Sequence, residues 1–162
     1  RMCFEGGRIE RSAELFRRAG EVRQEDFQSL LLQAHSLEMP GRMDEARAPT
    51  REGIGRAVRR LELDPADARA LSFGASALYR DGQHERAWQW CDRALQLNPD
   101  DAVVIVSAAC LCAKAGKKEE MLQHLEKVMA RGWGKREWID HDPDYDLVRD
   151  DPRFQAMLAK LK

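Results

Sequence analysis

Apolar residues return every three or four positions through most of the chain, and the strict alternation that marks a half-buried strand is nearly absent. This pattern predicts an all-helical fold. Its breaks fall at regular intervals. Asp64-Pro65 ends one periodic stretch and Asn98-Pro99 ends the next, 34 residues later; Gly7 and Gly41, and likewise Gly82 and Gly116, are also 34 residues apart. Two independent markers share one period, which signals a repeat architecture. Each unit reads as helix A, a tight turn at the glycine, helix B, and a stop at the proline. Glycine suits the turn because it tolerates positive φ after a helix end, whereas proline disfavours helical angles in the residue before it. One such hairpin cannot bury its own apolar face, so successive hairpins must stack.

The best-formed unit is ARALSFGASALYRDGQHERAWQWCDRALQLNP, residues 68–99. Its Leu71, Gly74, Ala75, Leu78, Ala87, Cys91, Ala94 and Pro99 correspond to Ile105, Ala108, Ala109, Cys112, Met121, Leu125, Val128 and Trp133 in the following unit. These residues resemble the eight signature places of the tetratricopeptide repeat, departing from it at Met121, where alanine is usual, and at Trp133, where proline is usual. The resemblance implies an all-α, right-handed superhelical solenoid of helical hairpins with a C-terminal capping helix. Its units would be a truncated first repeat at 1–26, mainly helix B; a second at 27–67 with a lengthened helix B; a third at 68–101; a fourth at 102–135; and a degenerate end-of-array segment at 136–162. Small residues at Gly74, Ala75, Ala108 and Ala109 would let helix A approach helix B closely. Leu71, Leu78, Leu95 and Leu97 would fill the space between hairpins.

Three places depart from a plain array. Gly41 to Gly82 is 41 residues, and the seven extra fall in ARAPTREGIGRA, residues 46–57. Seven residues is about two helical turns, so a helix B lengthened by that amount keeps its inner face in phase, with a kink expected at Pro49. Upstream, Ser12, Phe16 and Ala19 occupy helix B places, yet only RMCF precedes them as a stub of helix A. A fragment excised from a longer protein is expected, with its truncated N-terminal end a candidate homodimer contact through Leu15 and Phe16. In the tail, Asp151-Pro152 is a helix start, and Phe154, Met157, Leu158 and Leu161 form one apolar stripe opposite Arg153, Lys160 and Lys162. This tail is similar to the end-of-array segments of bacterial repeat modules, which lie behind kinase, nucleotide cyclase or DNA-binding domains.

Composition narrows the function classes. In 162 residues, 27 basic and 28 acidic side chains nearly cancel, so no large field of one sign favours nucleic acid. No apolar run reaches the ~20 residues that span a bilayer, and RMCFEGG is not a signal segment, so a cytoplasmic protein without membrane insertion is expected. Cys3, Cys91, Cys110 and Cys112 form no CxxC pair, and read as small core or groove fillers.

Asp140, Asp142, Asp144 and Asp146 alternate like calcium ligands, but a loop begun at Asp140 has Tyr145 sixth instead of glycine and Asp151 twelfth instead of glutamate, with Pro143 between. Helix caps and turns explain them better. His35, His84, His124 and His141 are scattered, without zinc spacing. EGIGR at 52–56 is a lone GxG, and SFGAS at 72–76 lacks the order of a nucleophile elbow. The expectation is no enzyme, no metal and no cofactor.

What remains is the concave face, lined by helices A. The second unit would present Gln28, Leu31, Leu32, His35 and Met39; the third Arg69, Phe73, Ser76, Tyr79 and Arg80; the fourth Val103, Val106, Ser107, Cys110 and Lys114. The expected function is a protein interaction module that holds a protein or peptide in this groove. Phe73 and Tyr79 would anchor it, and Arg69, Arg80 and Lys114 would meet acidic groups. The alternative is a structural module that self-associates or docks onto a catalytic or DNA-binding domain of its own parent chain.

Overall fold

The computed structural model describes residues 9–23, 25–38 and 41–161, and among them the fold is all-helical, without a strand. Gly7, the RMCF stub, Cys3, Met39 and Lys162 lie outside the described residues. The helices are α1 (Ile9–Val22), α2 (Phe27–Glu38), α3 (Met43–Leu63), α4 (Ala68–Arg80), α5 (His84–Leu97), α6 (Ala102–Lys114), α7 (Lys118–Met129), α8 (Arg136–His141) and α9 (Pro152–Leu158), with a 3-10 turn at Pro143–Tyr145 between the last two. None of them is long and apolar enough to cross a membrane.

The turns repeat one local chemistry. Gly41, Gly82 and Gly116 have φ of 82°, 84° and 70°. After each, a backbone N–H reaches back five residues: Arg42 to Leu37 O at 3.0 Å, Gln83 to Leu78 O at 2.9 Å and Lys117 to Cys112 O at 2.8 Å. These bonds satisfy carbonyls that the helix end would otherwise orphan, and they need the left-handed residue that glycine supplies. At the opposite boundaries aspartates cap the next helix. Asp67 accepts the Ala70 N–H, Asp101 those of Val103 and Val104, and Asp151 that of Arg153.

Helices pack pairwise and then side by side. The pairs α2/α3, α4/α5 and α6/α7 are antiparallel neighbours across the glycine turns, while α2, α4 and α6 also touch in sequence order. Gly74, Ala75, Ala108 and Ala109 are buried at these contacts, with Leu71 and Leu78. Leu97 is a correction to the expected set: it is 40% exposed, because it lies in the last turn of α5 beside the Asn98-Pro99 break, whereas Leu95 is half-buried. At the C-terminal end α9 packs on α7, burying Phe154 and Leu158 with Met121, Leu125, Ile139 and Val148.

Helix α3 has 21 residues against 14 in α5, and it continues through Pro49, which is buried. Two residues in this lengthened stretch do work that periodicity does not reveal. Gly53 lets α2 come close, since a Cβ there would stand 2.4 Å from Leu31 Cδ2. Arg56, only 9% exposed, donates from Nη1 to the carbonyls of Gly20 at 3.0 Å and Arg23 at 2.9 Å, and from Nη2 to Glu52 at 2.6 Å. The orphan carbonyls at the end of α1 are thus satisfied from a helix two elements away. Arg56→Met should cost about 2–3 kcal/mol in urea unfolding, because it strips charged hydrogen bonds from buried carbonyls. Arg56→Lys should recover only part of that, since an ammonium lacks the planar fork. A midpoint unchanged in Arg56→Met would refute this role.

Candidate functional site

Side-by-side packing of α2, α4 and α6 leaves one face of each turned to a cavity of ≈ 440 Å³. Helix α2 contributes Gln28, Leu31, Leu32 and His35; α4 contributes Arg69, Phe73, Ser76 and Arg80; α6 contributes Val103, Val106, Ser107, Cys110 and Lys114. These residues recur at helical spacing of three and four, which is why one face of each helix suffices. Among the described residues, the expected groove positions line this cavity except Tyr79, and Met39 lies outside them. Tyr79 is not among the lining residues; its ring stacks on His84 at 4.2 Å and meets Trp88 edge-on at 6.4 Å. It lies between Ser76 and Arg80 in α4 but turns toward α5, so it does not line the cavity as expected.

The cavity also has walls that the repeat pattern does not give. Phe16 enters from α1, and Trp133, Ile139, Asp142, Asp144 and Tyr145 enter from the segment after α7. Tyr145 is buried and stacks on Phe154 at 5.8 Å, which fixes this segment against the core. The acidic run does serve caps and turns, since Asp142 Oδ1 accepts the Asp144 N–H at 3.0 Å and Asp146 pairs with Arg149 at 2.7 Å. It also places two carboxylates on the cavity floor.

Five charged side chains cluster around these carboxylates, four of them lining the cavity and Glu38 beside Arg80. Lys114 Nζ lies 2.6 Å from Asp144 Oδ1, and Arg80 Nε lies 2.9 Å from Glu38 Oε1, each partner less than a fifth exposed. The second pair is close enough for Coulomb attraction but misaligned for a hydrogen bond, so Arg80 Nε is a buried donor without an acceptor. Burial pushes the Glu38 carboxyl up against the opposing pull of Arg80 and Lys114, and pushes the Arg80 guanidinium down. Asp142 is raised to about 6, first by burial and then by the like charge of Asp144. Burial acts the same way on Asp144, yet Lys114, with help from His35 and Cys110, outweighs it and holds that carboxyl below its ordinary value. Arg80 and Lys114 are therefore engaged inside the protein, contrary to the expectation that they would meet a partner's acidic groups.

The neighbours are neutral. Burial lowers His35 to about 4, with Lys114 and Arg80 reinforcing and Asp144 opposing, so its imidazole is uncharged at neutral pH. Burial raises the Cys110 thiol and the Tyr145 phenol well above their usual ranges. Cys91 and Cys112 are pushed up to about 12 and about 11 for the same reason. All three are free thiols held in their protonated form, and the thiolate is what makes a cysteine a nucleophile or ligand. Among the described residues, single donor atoms of His35, Asp142 and Asp144 lie within 4.8 Å of one another, an arrangement that could offer metal ligands. Sequence spacing hides it, because His35 and Asp142 are more than a hundred residues apart.

The chain matches no protein-family model and no curated protein.

Proposed function

We propose that the chain is a tetratricopeptide-like solenoid, capped at its C-terminal end by α9, which binds an extended protein segment in the concave face and performs no chemistry of its own. The observation that carries this reading is the convergence of one face from each of α2, α4 and α6 on a single cavity of ≈ 440 Å³. That volume lies within the roughly 300–1,000 Å³ of ordinary ligand sites, with apolar walls and a few polar groups. Protonated thiols and a neutral, buried histidine supply no activated nucleophile, which supports binding over catalysis.

Phe73 is the test of the groove. It is half-buried on the middle helix of the three, where an aromatic anchor contributes most to an interface. Phe73→Ala should weaken any peptide selected on the wild-type chain by more than ~1 kcal/mol while circular dichroism stays unchanged. Binding that is indifferent to Phe73→Ala would put the partner elsewhere on the surface.

A further inference from the structure

Five charged side chains cluster at one end of the cavity, three acidic and two basic, with Glu38 beside Arg80 and outside the lining. Glu38, Asp142 and Asp144 face Arg80 and Lys114, and the geometry matches Arg80 to Glu38 and Lys114 to Asp144. Among the described residues no ammonium or guanidinium forms an ion pair with Asp142. Its Oδ1 accepts the Asp144 N–H at 3.0 Å. Arg149, the other cation acting on it, is drawn away: its guanidinium pairs with Asp146 at 2.7 Å and donates to the Asp142 carbonyl at 3.1 Å. His35, Cys110 and Tyr145 are uncharged, and Arg69 is exposed to water at the edge of the cavity. Asp142 is thus a half-buried carboxylate, in a largely apolar cavity, with no cation of its own.

A carboxylate so placed is disfavoured by desolvation and by its like-charged neighbour, and an incoming cation relieves both. We propose that the cavity accepts an arginine or lysine side chain of an extended peptide, the charged head at Asp142 and the flanking apolar residues against Leu32, Phe73 and Val106. This rests on the peptide-binding reading and adds the chemistry of the partner. Charge complementarity decides the sign. An acidic side chain would face Asp142 and Asp144 while the two nearest cations are already matched, and like charges juxtaposed at an interface strongly disfavour a partner. A dication at His35, Asp142 and Asp144 would be repelled by the Lys114 ammonium, which already pairs with Asp144.

The experiment is selection of a displayed library of random dodecapeptides on the wild-type chain and on Asp142→Asn. The expected result is enrichment of arginine or lysine at one position beside apolar residues. Affinity for the enriched peptide should fall about tenfold in Asp142→Asn. It should also fall in the wild type as pH drops through about 6, where Asp142 takes up a proton. Lys114→Met removes a floor cation and should tighten the same peptide, so a folding defect in one variant leaves the other to decide. Enrichment of acidic or uncharged peptides sensitive to Phe73→Ala would overturn the cation preference and leave the groove standing. No enrichment at all would overturn both. Calorimetric binding of zinc or manganese chloride by the chain alone, lost in His35→Ala, would overturn the proposal by giving Asp142 to a metal.

Discussion

Phe154→Ala is expected to lower stability by about 3–5 kcal/mol, the range for emptying a fully buried aromatic site. Phe154 has no exposed surface, and its ring stacks on Tyr145 at 5.8 Å within a cluster that includes Met121, Leu125, Ile139 and Val148. The site has little means of collapse. Helix α9 has seven residues, too few to hold itself together in water, so its order depends on the side chains it buries. Losing the ring should therefore loosen α9 and Tyr145 together, and with Tyr145 one wall of the cavity. Urea unfolding of the variant measures the first effect; a loss below about 1 kcal/mol would show that the tail is peripheral to the fold.

Gly74→Leu should cost on the order of 3 kcal/mol or more, enough to unfold a marginal chain. Gly74 lies in α4 against Trp90 of α5, where even a Cβ would stand 2.4 Å from Cζ3 and 2.7 Å from Cε3, with Ala57 on the other side at 3.7 Å. Gly74→Ala separates the terms. Alanine is favoured in a helix interior by about 0.5–1 kcal/mol, whereas moving the indole sacrifices packing and its contact with Arg86 at 5.6 Å. Net destabilisation is expected, and it should shrink when Trp90→Leu is added, since residues in contact couple. Additive effects in that cycle, read by thermal melting, would show that Trp90 is not the obstacle.

Local chemistry made much of this legible. A glycine with positive φ, an aspartate cap and a proline stop act within a few residues, so the helix ends can be read locally, and α3, which holds the seven extra residues, has 21 residues against 14 in α5. The cavity-facing positions of α2, α4 and α6 are legible for the same reason: Gln28 to His35, Arg69 to Arg80 and Val103 to Lys114 follow helical spacing, whereas Tyr79 turns toward α5. What periodicity leaves out is contact between distant segments. Nothing near Asp142 and Asp144 indicates that they will meet His35 and Lys114, so the alternating aspartates read as turn chemistry alone. The same holds for Arg56, whose partners on Gly20 and Arg23 belong to another hairpin, and for Phe16, which faces the cavity while its neighbour Leu15 is 49% exposed.

The meeting of His35 with Asp144 has a consequence for the order of folding. Ties between adjacent hairpins close short stretches of chain: Arg51 reaches Asp81 over 30 residues and Arg153 reaches Glu119 over 34. His35 and Asp144 are 109 positions apart, and their approach requires α4 and α6 to be packed in between. Closing that span from an unfolded chain costs more entropy than closing one hairpin on the next, but once the intervening helices are stacked most of that cost has been met. The charged floor is then the last part of the molecule to assemble. It is also the first to part when either end frays, so the cavity is expected only in the fully stacked chain.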